Sequence, residues 1–144
     1  MQINDTINLL KECDAGTKMA VLSIDEILDQ VHNQKLKKML DEFKDKHTNL
    51  GNEIHILLNQ QEEKDKEPSP IAKGMSWVKS NIKMMMEESD KTVADIITDG
   101  CNMGVKSLSR YLNQYTSADE KSKNICNELI AIEEKFVVSI RCFL

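Results

Sequence analysis

Apolar residues recur every three or four positions along most of the chain. From Asn4, whose side chain suits the capping of an opening helical turn, the first stripe runs through Ile7, Leu10, Asp14, Thr17, Val21, Ile24, Leu28 and Val31. That spacing lies along one face of a helix. The stripe stops at His32-Asn33, a connection so short that the next helix must return antiparallel. The second stripe is Leu36, Leu40, Phe43, His47, Leu50, Ile54 and Leu57, in a helix running to about Gln61.

Glu62 to Pro70 is the most polar stretch and holds both prolines. Proline lacks an amide donor and restricts the residue before it, so helix geometry breaks there. Ser69 as cap and Pro70 at the first helical position then predict a restart. A shorter stripe follows, Ile71, Met75, Val78, Ile82 and Met85, with Trp77 on its flank. Ser89-Asp90 restarts the chain for Val93, Ile97, Gly100/Cys101, Gly104, Leu108, Tyr111 and Tyr115. Ser117 and Glu120 have the spacing of a capping box. It opens a last helix carrying Ile125, Leu129, Ile132, Phe136, Ile140 and Phe143.

Four stripes of about 25 residues, each roughly 37 Å long at 1.5 Å per residue, predict an all-α antiparallel four-helix bundle. The crossover between helices two and three, Glu62 to Glu88, holds a short extra helix. It is too long for a simple up-down turn and matches the one long connection of ferritin-like folds. No stretch alternates long enough to predict a strand. Neither half of the chain has the apolar faces to enclose a core alone, so residues 1–144 read as one domain.

Composition narrows the classes further. With 40% hydrophobic and 30% charged residues, the chain is too apolar for disorder and too charged for a membrane protein. Five glycines and two prolines are too few for the turns of an all-β fold. A net charge of −5 is no signature of nucleic-acid binding. No basic segment followed by an apolar core opens the chain, and no apolar run approaches a bilayer's thickness, so the expected location is the cytoplasm. Cys13, Cys101, Cys126 and Cys142 form no C-x-x-C pair and read as reduced, mostly buried thiols.

Candidate chemistry is sparse. A di-metal site in such a bundle needs Glu-x-x-His on two helices, since i and i+3 share a face. Three residues before His32, His47 and His55 stand Asp29, Lys44 and Asn52. Asp29 and His32 come nearest, but in the last turn of the first helix, and the last helix has no histidine. Asp14 and His47 do fall on apolar stripes, where buried polar groups require partners. Either they hydrogen-bond in or near the core, or they reach water at the stripe edge, or they are remnants of a metal site with Glu53, Asp99 or Glu128. His47 between Phe43 and Leu50 is expected to be buried. Met75 and Met85 read as core filling rather than soft-metal ligands. Cys13 beside Asp14 would need a base to act as a catalytic thiol, and His47 supplies one only if the helices align. Gly51, Gly100 and Gly104 suggest close helix approach, and no phosphate-binding loop is present. The reading assigns no catalytic, cofactor-binding or metal residue.

Ile7 to Gly16, Phe43 to Glu53, Gly74-Met-Ser-Trp77 and Asp99-Gly100 together resemble a family of bacterial ferritin-like four-helix proteins of unknown function, often linked to stress responses. The resemblance implies a ferritin-like fold descended from metal-binding ancestors. The ligand pattern of such ancestors is missing here from helices two and four. The function expected is that of a non-enzymatic cytoplasmic bundle acting by self-association or partner binding, without cofactor. A divergent iron or manganese protein of storage or oxidase type is the alternative. The connector helix around Trp77 is the expected homodimer contact, because aromatic and Met side chains favour interfaces.

Overall fold

The computed structural model describes residues 2–61 and 89–144. They form helix α1 (Gln2–Ile27), a 3-10 turn at Leu28–Gln30, α2 (Gln34–Gln60), α3 (Asp90–Gln114), α4 (Glu120–Ile140) and a closing 3-10 turn at Arg141–Phe143. No strand occurs among the described residues. The connector helix expected at Ile71 to Met85, with Trp77 and the Met84 to Met86 run, lies outside them. No helix of the described residues is long and apolar enough to cross a membrane.

Helix starts follow local chemistry, with two corrections. Asn33 opens α2 by accepting from the N–H groups of Lys35 (2.9 Å) and Leu36 (3.1 Å). Ser89 opens α3, its hydroxyl oxygen accepting from Thr92 N–H at 3.1 Å. α1 begins at Gln2, so Asn4 lies inside the helix and does not cap it. The cap of α4 is Asp119, which accepts from Ser122 N–H at 2.8 Å. Ser117 lies two residues too early and serves a different contact.

That contact sets the helix directions. Ser117 N–H donates to Asp5 Oδ2 and Asp119 N–H to Thr6 Oγ1, both at 2.9 Å, tying the α3–α4 turn to the start of α1. At the opposite end, the N–H groups of His32 and Asn33 donate to the two carboxylate oxygens of Asp90 at 2.7 and 3.0 Å. The α1–α2 turn is thus tied to the start of α3. It follows that α1 and α4 run one way and α2 and α3 the other. The two antiparallel pairs α1–α2 and α3–α4 carry the densest packing, and α1 also meets α4 and α3.

Two apolar clusters fill the interior. One gathers Leu9, Leu10, Cys13, Leu50, Ile54, Leu58, Leu108, Cys126 and Leu129 toward the α3–α4 turn. The other gathers Ile24, Ile27, Leu36, Leu40, Phe43, Val93, Phe136 and Ile140 toward the α1–α2 turn. Leu9, Cys13 and Ile27 are buried although they lie off the first stripe, whereas Ile7, Val21 and Leu28 are only half-buried. A helix with three packing neighbours buries a wider arc than one stripe. Between the clusters, at mid-bundle, lies a polar layer.

Candidate functional site

The polar layer draws on α1, α2 and α4. His47 stands on the buried face of α2 at 0% exposure, as its place in the stripe predicts. Its Nδ1 lies 2.8 Å from the carbonyl oxygen of Phe43, which can only accept, so Nδ1 carries a hydrogen. Its Nε2 lies 2.9 Å from Glu133 Oε1 on α4. One further proton is therefore shared between imidazole and carboxyl: an imidazolium facing a carboxylate, or an imidazole accepting from a carboxylic acid. Glu133 is itself buried, at 7% exposure. Phe43 flanks the pair, edge-on to His47 at 4.3 Å between centroids and stacked on Phe136 at 4.0 Å.

Asp14, at 1% exposure, takes other partners. Lys18 Nζ lies 3.1 Å from its Oδ2, one turn along α1, and His55 Nε2 on α2 lies 2.7 Å from its Oδ1. Asp14 and His47 thus belong to two separate polar contacts, one joining α1 to α2 and the other α2 to α4. The edge-of-stripe alternative is excluded by their burial. Glu53, Asp99 and Glu128, the further ligand candidates, are all exposed. Among the described residues no three His, Cys, Asp or Glu side chains converge as a metal-binding group.

Two openings flank this layer. A cavity of about 470 Å³ lies between α1 and α3, walled by Gly16, Met19, Ile96, Gly100, Met103 and Tyr111 among others. Its only charged lining residues among those described are Glu12 and Glu133. Burial pushes the Tyr111 phenol up, and the charge of Glu12 and a hydrogen bond to it act in the same direction. A smaller space of about 330 Å³ between α1 and α2 is lined by Lys18, His47, Gly51 and His55. The His47–Glu133 pair forms the partition between the two.

Glycines make room at this level. A Cβ on Gly51 would stand 3.1 Å from Thr17 Oγ1, so α1 and α2 approach closely there. A Cβ on Gly104 would meet the Glu133 carboxyl at 3.7–3.9 Å, an ordinary contact. Gly104 lies under the carboxyl, beside the larger cavity.

The thiols divide by position. Burial, with Glu133 nearby, pushes the Cys101 thiol far up, which makes it inert as a nucleophile. Cys13 and Cys126, from α1 and α4, are hydrogen-bonded to each other. That bond and then burial raise Cys13, whereas the same bond lowers Cys126 against its own burial. Cys142 is exposed.

Glu133, His55 and Lys18 are the residues that sequence reasoning did not single out. Glu133 is four residues after Leu129 and three before Phe136, a helical step as good as that of Ile132. The phase of the last stripe, shifted by one residue, would have found it. Comparison with known proteins gives no matching family model, no matching curated protein and no matching solved structure.

Proposed function

We propose that this chain is a ferritin-like helical bundle that acts without enzymatic turnover, by associating with a second copy of itself or with a protein partner in the cytoplasm. The topology supports the ferritin-like part. Parallel α2 and α3, with the end of one and the start of the other at opposite ends of the bundle, match the arrangement with one long crossover. The binding part rests on one observation, the apolar opening between α1 and α3. Met103 on its rim is 52% exposed. Exposed Met beside an apolar concavity is the composition of a contact surface. The polar layer, in contrast, spends its groups on one another.

In this reading the partner is protein, and neither nucleic acid nor membrane is bound. A two-fold homodimer is the default symmetry, the same patch meeting itself. Two faces are candidates, the segment around Trp77 and the α1/α3 opening. Light scattering at tens of micromolar is expected to give twice the mass of the chain. Trp77→Ala with Val78→Asp, and separately Met103→Asp, identify the face by which of them restores the monomer. A monomeric wild type removes self-association, and a dimer untouched by both variants removes these faces.

The meeting of His47 from α2 with Glu133 from α4 at mid-bundle favours one second reading, a divergent di-metal protein. One or two equivalents of iron or manganese in the purified protein, lost in His47→Leu, would support it.

A further inference from the structure

Cys13 and Cys126 stand at opposite ends of the sequence, yet both are completely buried in the same apolar cluster. Their side chains are hydrogen-bonded, Cys13 from α1 and Cys126 from α4. The Cys126 thiol also reaches the carbonyl oxygen of Leu108 on α3 at 3.7 Å. Cys101 sits in the other cluster against Glu133, and Cys142 is on the surface with Ser139 O as its acceptor. One pair of the four thiols is therefore brought together by the fold.

We propose that Cys13 and Cys126 are an oxidisable pair, a modification site at which a disulfide forms and fastens α1 to α4. The oxidant class is a low-molecular-weight disulfide such as oxidised glutathione. The Cys126 thiolate attacks one sulfur of that disulfide, forming a mixed disulfide and expelling one thiolate, which takes up the proton that Cys126 released. The Cys13 thiolate then attacks the Cys126 sulfur, breaks the mixed disulfide and expels the second thiolate, which is protonated in turn. Two protein thiols lose two electrons and two protons, and one small disulfide gains both.

The order of attack follows from the hydrogen bond. It eases the Cys126 thiol toward its thiolate and holds Cys13 protonated, and the thiolate is the nucleophile. Because neither sulfur is exposed, exchange waits on a local opening of the apolar cluster that admits the small disulfide while α1 and α4 stay side by side, and sub-denaturing urea accelerates it. The α1–α4 contact is sparser than either hairpin, so the cross-link fastens one hairpin to the other. A bond from residue 13 to residue 126 closes most of the chain into a loop, which restricts the unfolded ensemble strongly.

The test is oxidation of the full chain with excess oxidised glutathione, then alkylation under denaturing conditions and peptide mapping. The expected product has Cys13 and Cys126 blocked from alkylation in one linked peptide pair, with the exposed Cys142 carrying glutathione at most, and a melting temperature raised by roughly 10 °C. Dithiothreitol reverses both. Cys13→Ala and Cys126→Ala each abolish the linked product, while Cys101→Ala and Cys142→Ala retain it. The wild type, reduced and oxidised, carries the comparison should a variant fold poorly. Recovery of Cys13 and Cys126 as separately alkylated peptides overturns the proposal, whatever the state of Cys142. So does a linkage that needs Cys101 or Cys142, or an oxidised protein that melts below the reduced one.

Discussion

Two acidic side chains at the centre of a helical bundle cost stability unless each meets a cation or a donor, and here each does. His47 has a hydrogen-bond partner on both ring nitrogens, so removing it strands Glu133 rather than merely emptying space. His47→Leu is expected to destabilise the bundle by about 1–5 kcal/mol, the range from a stranded neutral carboxyl to an uncompensated buried charge. The double variant His47→Leu, Glu133→Leu is expected to recover most of that loss, because apolar residues of similar size replace buried pairs at little cost. Urea denaturation of the three proteins decides; a double variant no more stable than the single one would show the pair is not the unit. Thiol reactivity belongs to the same scale. In the native protein an aromatic disulfide reagent is expected to label Cys142 rapidly, while Cys101 reacts only on unfolding. Fast labelling of more than one thiol would contradict that burial. The burial of His47 was legible from its place between Phe43 and Leu50, while a place on the stripe left Asp14 open between the core and the stripe edge. Their partners were not legible, because periodicity along one helix carries no information on which residue of another helix faces it.

Helix existence and order were also legible, since four long stripes leave little alternative, but helix ends were decided by contacts from elsewhere in the chain. Ser117 and Glu120 have the spacing of a capping box, yet the Ser117 N–H is taken by Asp5 and the start of α4 moves to Asp119. Asp119→Ala is therefore expected to cost about 1 kcal/mol and Ser117→Ala a few tenths at most, measured by thermal melting. Equal losses would restore the capping-box reading. The helical glycines separate in the same way. At Gly16 an added Cβ meets only Leu129 Cδ2 at 3.8 Å, so Gly16→Ala gains helix propensity, roughly 0.5–1 kcal/mol. At Gly51 the Cβ would press on Thr17 Oγ1 at 3.1 Å, and that hydroxyl is held by its hydrogen bond to Asp14 O at 2.9 Å. Gly51→Ala is expected to lose stability, and Thr17→Ala in the same chain to relieve it. The sequence pointed to close approach at Gly51, on the buried stripe, but could not name the side chain that enforces it.

At the scale of the whole molecule, the decisive feature is direction. Asp5 and Asp90, each at the start of a helix, accept backbone N–H groups from the turn of the other hairpin, and together they orient one hairpin on the other. The consequence is that Gln60, closing α2, and Asp90, opening α3, stand at opposite ends of a bundle whose helices have 27 and 25 residues. At 1.5 Å per residue that separation is on the order of 40 Å. An extended chain covers at most about 3.3–3.6 Å per residue, so any connection shorter than about 12 residues cannot join the two ends. Replacing residues 62–88 by five Gly/Ser residues, with a reach of roughly 17 Å, is therefore expected to abolish the monomeric bundle. A Gly/Ser linker of the native length spans the gap, and lengthening a flexible loop costs only fractions of a kcal/mol per doubling. The native-length variant is expected to keep its helicity and a cooperative melt. Circular dichroism read together with light scattering separates the outcomes, since a short-linked chain can still build bundles by exchanging hairpins between copies. A short-linked chain that is helical, cooperative and monomeric would mean that α2 and α3 run antiparallel, and the directions derived from Asp5 and Asp90 would be wrong.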